Sequence, residues 1–250
     1  MNLRSTLGAM RSYLLSSCFK RTVPLGTLGP VVSFTFDDFP QSALSVGADI
    51  LERFGARATY YVAMGLENTV NDLGVQFRRD DLDQAVSRGH ELAIHGYQHL
   101  SARRTPVNAF VRDVVRCEAE MRQQVSAGVS RNFAYPYGEV TLATKHRLGP
   151  LMTSSRGTCG GLNGPDVDLN LLRANRLYGD VKQLESIKQL IVQTQCEASW
   201  LLFYTHDVAE RPSKFGCTPG LLESTASFAA ERGCKFMTVA DVVNRIGSQA

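Results

Sequence analysis

Residues 31–38 read Val-Val-Ser-Phe-Thr-Phe-Asp-Asp, with Phe39-Pro40 directly after them, and this stretch decides the fold. β-Branched and aromatic residues fill it up to the carboxylates, a composition that predicts a buried strand. Side chains on a strand alternate in direction, so Asp37 and Asp38 should leave its end pointing different ways. Two neighbouring carboxylates repel each other unless a cation lies between them. The pair therefore predicts either a metal site or an ordinary Asp-Asp turn.

The length and composition of the chain limit the number of domains and the class of protein. The chain has 250 residues, 44% of them hydrophobic, which is enough for one large α/β domain or two small ones. We find no linker, composition break or repeat after Pro30. We therefore predict one domain over residues 31–250, preceded by a basic N-terminal extension at residues 1–30. No stretch approaches the roughly 18 apolar residues that a transmembrane helix needs.

The charge of the chain argues against a nucleic-acid partner. Residues 1–30 carry four basic residues and no acidic one, which leaves 23 basic and 24 acidic residues, a net charge of −1, on the remainder. A nucleic-acid-binding protein would carry its basic excess on the fold itself. The basic, Ser-rich start instead suits peripheral contact with an acidic membrane surface or a neighbouring subunit.

The start of the chain also bears on location. The apolar centre Tyr13-Leu14-Leu15 is too short for a secretory signal. The six cysteines form no CxxC pair, a pattern typical of free thiols in a reducing compartment. We expect a cytoplasmic protein, with the membrane-peripheral alternative left open.

Predicted strands and helices alternate along the chain. Strands are predicted at residues 31–38, 58–62, 91–94, 133–135, 200–204 and 235–237, with helical patterns between them and a loop over residues 156–170. This alternation predicts a parallel sheet with helices outside it. Active sites of parallel barrels lie at the carboxyl ends of the strands. That position is predicted for Asp37, Asp38, His95, Arg131 and His206.

Two histidines follow the predicted strand 91–94. His95 and His99 lie four residues apart, so one helical turn would put them on one face, where they could share a metal. A lone HxxxH pattern is more often a pair of exposed histidines. With Asp38 the two would form a two-His, one-carboxylate set, which suits Zn²⁺ and also accepts Co²⁺, Ni²⁺ or Mn²⁺.

A third signal lies at Arg131-Asn132-Phe133-Ala134-Tyr135-Pro136-Tyr137-Gly138. An Arg close to a strand that ends in Pro-x-Gly could pair with a carboxylate, while the turn presents a backbone N–H. Taken alone, the segment reads equally well as a surface Arg beside an aromatic turn.

The ordered set of motifs resembles the polysaccharide deacetylase, or NodB-homology, family of carbohydrate esterases. The motifs are TFDD at 35–38, HxxxH at 95–99, RxFxxPxG at 131–138 and the strand that ends at His206. The resemblance covers about residues 31–245. It implies an α/β fold, a distorted (β/α) barrel of about seven parallel strands. It also implies metal-dependent hydrolysis of the acetamide of an N-acetylated amino sugar, in a polysaccharide or its precursor.

The resemblance also implies a role for each motif residue. Asp37 would be the general base, and Arg131 would pair with it. The backbone N–H of Tyr137 would stabilise the oxyanion, and His206 would protonate the departing amine. The metal would be held by Asp38, His95 and His99. An acetamide is a poor electrophile with a poor leaving group, so its hydrolysis needs a Lewis acid, a base and an acid.

Two features depart from the family pattern. Phe39-Pro40 replaces a Gly that often follows the second Asp, which predicts a bulkier, apolar lip at the site. Residues 156–180 contain no Trp, and the carboxylate expected to orient His206 is not identified. The candidates are Asp166, Asp168, Asp180 and Asp207. These departures favour a divergent branch that acts on a nucleotide-linked, lipid-linked or surface-polysaccharide sugar.

Two other functions stay open. One is a related metal-dependent amidohydrolase that cleaves a non-sugar C–N bond. The other, from a different class, is a catalytically silent barrel that binds glycans. Retention of the base and of every candidate metal ligand argues against silence.

Overall fold

A central sheet of seven parallel strands organises the protein. The computed structural model describes residues 14–125 and 127–248. The strand order across the sheet is β10-β11-β2-β3-β6-β7-β8, and the sheet curls into a half-barrel. These strands are β2 (Val31–Asp38), β3 (Thr59–Val62), β6 (Glu91–Ile94), β7 (Val129–Ala134), β8 (Ser154–Arg156), β10 (Asn175–Arg176) and β11 (Trp200–Thr205). The prediction of a parallel barrel of about seven strands is confirmed.

Five shorter strands complete the set. The strand β12 (Lys235–Phe236) pairs with the start of β2 in parallel. Two antiparallel pairs lie outside the main sheet, β1 (Thr22–Pro24) with β9 (Asp166–Asp168), and β4 (Val70–Asn71) with β5 (Gly74–Val75).

Seven α-helices that begin and end within the described residues connect and cover the strands. They are α1 (Asp49–Glu52), α2 (Arg79–Ser87), α3 (Val107–Gln124), α4 (Leu142–Leu148), α5 (Leu184–Glu197), α6 (Pro219–Glu231) and α7 (Val239–Gly247). The helical pattern predicted between the strands at 31–38 and 58–62 begins as a π-helical segment, Ala43–Ala48, before it becomes α1. Among the described residues, no helix is long and apolar enough to cross a membrane.

The strand β2 is buried along its whole length, because the sheet continues on both of its sides. Alternate residues of β2 join two different hydrophobic clusters. Val32, Phe34 and Phe36 join the cluster that packs under the helices. Val31 joins the cluster that contains Trp200 and the apolar side of α7. This alternation puts Asp37 on the same side of the sheet as Val31, and it ends at Asp38, whose φ of 65° is not that of a strand.

Part of the predicted N-terminal extension packs against the domain. Val23 and Leu25 are buried, and β1 forms an antiparallel ladder with β9. The Arg21 guanidinium donates hydrogen bonds to the carbonyls of Gly149 and Met152. Contacts with the domain therefore begin well before residue 31. Residues 1–13 of the predicted extension lie outside the described residues.

The predicted loop at 156–170 is interrupted by structure. It contains the strand β9, and the strand β8 ends at its first residue. Both strands have three residues, and Ser-Ser-Arg in β8 shows no apolar alternation. Both strands are stabilised by hydrogen bonds to neighbouring strands, β8 to β7 and β9 to β1, and the local sequence does not predict this pairing.

Candidate metal and catalytic site

A cavity of about 680 Å³ lies at the carboxyl ends of the parallel strands. Asp37 and Asp38 enter it from the end of β2, and His95 enters it directly after β6. His206 enters it directly after β11. The carboxyl ends of parallel strands meet at one edge, which explains why residues so distant in sequence converge. The predicted position of these four residues is confirmed.

Asp38, His95 and His99 form a compact cluster, with one potential ligand atom from each within 4.8 Å of the others. The Nε2 atoms of His95 and His99 lie 3.6 and 3.3 Å from Oδ1 of Asp38. This buried oxygen accepts no hydrogen bond from any described residue. A buried carboxylate oxygen without a donor, faced by two imidazoles, fits a divalent metal ion.

Hydrogen bonding fixes the orientation of His95. Its Nδ1 lies 2.8 Å from the carbonyl oxygen of Ala134, so Nδ1 carries the proton and donates it. The Nε2 lone pair is then directed at the cluster. Histidine ligands of metals are commonly oriented through their other nitrogen in this way.

Burial controls the charges of the cluster. It lowers the pKa of His95 to about 3 and the pKa of His99 to about 4. Both imidazoles are therefore neutral at pH 7 and keep a lone pair for a metal. Burial also raises the pKa of Asp38 to about 6, with His206 opposing the shift and Asp37 adding to it.

The backbone at the end of β2 is strained. Asp38 and Phe39 both adopt positive φ angles, 65° and 68°, in the left-handed region that non-glycine residues rarely occupy. This turn sends the Phe39 ring into the core, where it packs against Tyr60 and stacks on Phe77. Phe39 is fully buried and does not line the cavity. The predicted apolar lip at Phe39-Pro40 is therefore wrong.

Asp37 forms a buried ion pair with Arg156. The Arg156 side chain is 1% exposed, and its guanidinium carbon lies 4.7 Å from the Tyr61 ring centre and 5.2 Å from that of Tyr204. Burial alone would raise the pKa of Asp37, but the charge of Arg156, helped by His95 and His206, lowers it below its usual value. Asp37 is thus ionised at neutral pH, as a general base must be.

The predicted pairing of Arg131 with Asp37 is wrong. Arg131 is 58% exposed, and its Nε donates to Glu118 of α3 at 2.7 Å. The strand β7 extends three residues beyond Arg131, which leaves this residue far from the carboxyl edge. Arg156, at the end of β8, occupies the place expected for Arg131. The sequence marks Arg156 only as an Arg at the end of a short segment that follows a helix, which is too weak a pattern to predict its role.

Tyr137, whose backbone N–H was predicted to stabilise an oxyanion, is part of the cavity lining. It adopts a positive φ of 59° within a short 3₁₀ turn, Pro136–Gly138. Its ring contacts the His99 ring, with 4.5 Å between the centres. The Tyr137 ring therefore lies beside His99, one of the candidate metal ligands.

A backbone carbonyl orients His206. The Nδ1–H of His206 donates to the Phe215 carbonyl at 3.2 Å, so Nε2 is the nitrogen left for chemistry. No described carboxylate accepts a hydrogen bond from His206. Three of the four predicted candidates have other partners: Asp168 pairs with Lys145, Asp180 caps a 3₁₀ turn, and Asp207 accepts hydrogen bonds from Ser213. Asp166 lies in β9.

Comparison with known proteins agrees with this geometry. Residues 26–149 match the family model described as polysaccharide deacetylase. A search of curated protein sequences found no match.

Solved structures share the fold at low identity. A peptidoglycan N-acetylglucosamine deacetylase is 13% identical, with 92% of this chain and 95% of that chain covered and a TM-score of 0.59. The chitin deacetylase of the fungal pathogen Colletotrichum lindemuthianum is 19% identical, with 89% of each chain covered and a TM-score of 0.57. A family 4 acetyl xylan esterase from Clostridium thermocellum, solved with a cobalt ion, is 18% identical, with 86% and 91% covered and a TM-score of 0.56.

Proposed function

Because the chain belongs to the polysaccharide deacetylase family of carbohydrate esterases, we propose that it hydrolyses the acetamide of an N-acetylated amino sugar with the help of one divalent metal. The observation that carries this proposal is the position of Asp37. This ionised carboxylate lies in the same cavity as the cluster Asp38, His95 and His99, so a base and a metal site face one reaction space.

Asp38, His95 and His99 would hold the metal. Two imidazoles and one carboxylate suit Zn²⁺ first, and Co²⁺, Ni²⁺ or Mn²⁺ after it. When bound, such an ion supplies Lewis acidity, polarising the acetamide carbonyl and acidifying water.

The residues of the chain carry the proton transfers. Asp37 takes a proton from the attacking water, and Arg156 keeps Asp37 ionised and oriented. As the water oxygen bonds to the carbonyl carbon, the backbone N–H of Tyr137 donates a hydrogen bond to the oxyanion. His206, protonated on both ring nitrogens for this step, then gives its Nε2 proton to the amine nitrogen while the C–N bond breaks, and the proton held by Asp37 is released to solvent to reset the base. The products are acetate and a free amino sugar.

The cellular setting belongs to the same proposal. A cytoplasmic protein acting on a sugar precursor, with peripheral membrane contact through basic residues 1–30, suits the charge of that segment. Vesicle sedimentation with anionic and neutral lipids checks the contact. Equal binding to both lipids would remove it from the proposal.

Acetate release from three substrate groups tests the proposed reaction. N-acetyl chito-oligosaccharides, N-acetylated amino acids and N-acetylated peptides are incubated with Zn²⁺-loaded protein, and Asp37→Asn is the inactive control. We expect acetate from the sugars alone. Release from the non-sugar amides alone would indicate the related amidohydrolase. Sugar binding without any release would indicate a silent glycan-binding barrel. Either result would refute the proposal.

A further inference from the structure

One wall of the catalytic cavity is aromatic. The ring centre of Tyr178 lies 5.4 Å from that of Tyr204 and 6.0 Å from that of Phe215. The His206 ring lies 6.0 Å from Tyr178 and 5.5 Å from Phe215. The proposed proton donor is therefore part of an apolar surface against which a sugar ring can pack.

Two basic side chains, Arg176 and Lys214, border this wall. Both line the cavity, and neither has a carboxylate within 4.0 Å among the described residues. Arg176 uses its Nε to donate to the Tyr204 hydroxyl at 3.3 Å. The Nζ of Lys214 lies 4.9 Å from the Phe215 ring centre. Both cations thus have neutral aromatic neighbours and retain donors for a ligand.

The backbone at both positions is fixed. Arg176 belongs to β10, where it is paired in register with Tyr204 of β11. Lys214 lies in a loop that is fixed by buried Asp207. The carboxylate of Asp207 accepts hydrogen bonds from the backbone N–H of Ser213, at 2.8 Å, and from the hydroxyl of Ser213, at 2.5 Å. A Cβ at Gly216 would lie 2.3 Å from Oδ1 of Asp207, so the loop closes tightly against this carboxylate. Fixed backbones limit the entropy lost when the two side chains bind a ligand.

The charge balance of the cavity favours an anion. Three carboxylates line it, Asp37, Asp38 and Asp72. Arg156 neutralises Asp37, and Asp38 belongs to the candidate metal cluster. Among the lining residues this leaves one negative charge, Asp72 at the turn between β4 and β5, and the two positive charges of Arg176 and Lys214. The cavity is therefore positive on the side of the aromatic wall.

We propose that Arg176 and Lys214 form a subsite for an anionic oxygen group on the acetylated sugar. This inference rests on the proposed function and names its substrate class, an N-acetylated amino sugar that carries a phosphate or adjoins a uronic acid. A guanidinium binds either group through paired N–H donors, and an ammonium adds a point charge beside it. The subsite would draw the charged sugar onto the wall that contains His206.

Paired substrates with the same acetamide test the subsite. The first pair is N-acetylglucosamine 1-phosphate against methyl N-acetylglucosaminide, and the second is an N-acetylglucosamine disaccharide with glucuronic acid against one with glucose. We expect wild-type kcat/KM to favour the anionic member of at least one pair, and that pair identifies phosphate or carboxylate as the group recognised.

The double variant Arg176→Gln/Lys214→Gln should lose about tenfold in kcat/KM per cation on the anionic member, mainly through KM. On the neutral member its kcat/KM should fall by less than about twofold. Lys182→Gln, an exposed lysine outside the cavity, is the matched control.

The outcomes separate the two proposals. Acetate release from neutral and charged sugars with equal kcat/KM would overturn the subsite and leave the deacetylase function intact. Equal losses on both members in the double variant would also overturn it. If no substrate releases acetate, the proposed function fails, and calorimetric binding of both sugar pairs decides the subsite. Unchanged binding of the sugar phosphate and the uronic acid disaccharide in the double variant would then refute it, since any affinity would come from the metal.

Discussion

Arg156 sets the charge of Asp37, because the two form a buried ion pair in which each is the other's counter-ion. We expect Arg156→Met to lower kcat/KM on an acetamide by about tenfold to a hundredfold, since Asp37 loses the partner that keeps it ionised. Arg156→Lys should recover part of this loss, because it keeps the charge without the planar fork.

Arg131→Met is the matched control for Arg156→Met. Arg131 is largely exposed and paired with Glu118, so its removal should leave kcat/KM within about twofold of wild type. Metal content and melting temperature are measured on all three variants to separate catalysis from folding. A loss in Arg131→Met with none in Arg156→Met would restore the original sequence prediction.

The variant His206→Ala tests whether His206 protonates the leaving amine. His206→Ala should cost about 10²- to 10⁴-fold on an acetamide, the usual value of general acid–base assistance. An aryl acetate should be hydrolysed at nearly the wild-type rate, because its phenolate leaves without a proton. Both rates are measured at equal metal occupancy. Equal losses on the two substrates would mean that His206 supports the structure or the metal instead.

Spacing predicted the metal cluster but not every functional residue. Asp38, His95 and His99 could be predicted because their separation and position after strands are visible in the sequence. Arg156 could not, since β8 is three residues long and its pairing with β7 is set by the fold. The partner of His206 was missed for a different reason. It is the backbone carbonyl of Phe215, which side-chain patterns do not reveal.

At the scale of elements, His90 links β6 to α1. Its Nδ1 accepts a hydrogen bond from the backbone N–H of Ala58 at 3.0 Å, and its Nε2 lies 2.9 Å from Glu52. Burial lowers the pKa of His90 to about 4, although Glu52 opposes the shift and Arg88 and Arg57 add to it. The ring is therefore neutral in the folded protein at pH 7.

Because the folded pKa lies below that of an unfolded histidine, the unfolded chain binds the proton first as the pH falls. The stability present above about pH 6.5 should decline towards pH 4, by about 2–3 kcal/mol from this residue. Chemical unfolding of His90→Gln across this range should show a flatter pH dependence than wild type. The exposed His146→Gln is the control. Parallel curves for wild type and His90→Gln would exclude His90 as a source of the pH dependence.

The strand β1 bears on where the domain begins. A chain starting at Leu28 lacks β1 together with the buried side chains Val23 and Leu25. We expect it to be less stable by roughly 3 kcal/mol, given the apolar area exposed. A chain starting at residue 14 keeps these contacts and is the control. Equal melting temperatures for the two chains would support the original boundary at residue 30.

For the whole molecule, regular alternation made the architecture predictable. Long buried strands such as β2 and β11 and well-bounded helices such as α3 were visible in the sequence, and their order required parallel pairing. The π-helical start of α1 and the short strands β8 and β9 were not, because tertiary pairing stabilises them more than local propensity does. The same parallel order brings all the proposed site residues except Arg131 to one edge of the sheet.

The most direct test of the account is a metal titration of activity. Metal-stripped protein receives Zn²⁺ in steps, while acetate release from an N-acetylated amino sugar and bound metal are measured together. We predict that activity rises from background and saturates at one equivalent per chain, and that His99→Ala binds the ion far more weakly. Full turnover in stripped protein, or full metal occupancy in His99→Ala, would contradict the assignment of Asp38, His95 and His99 as the metal site.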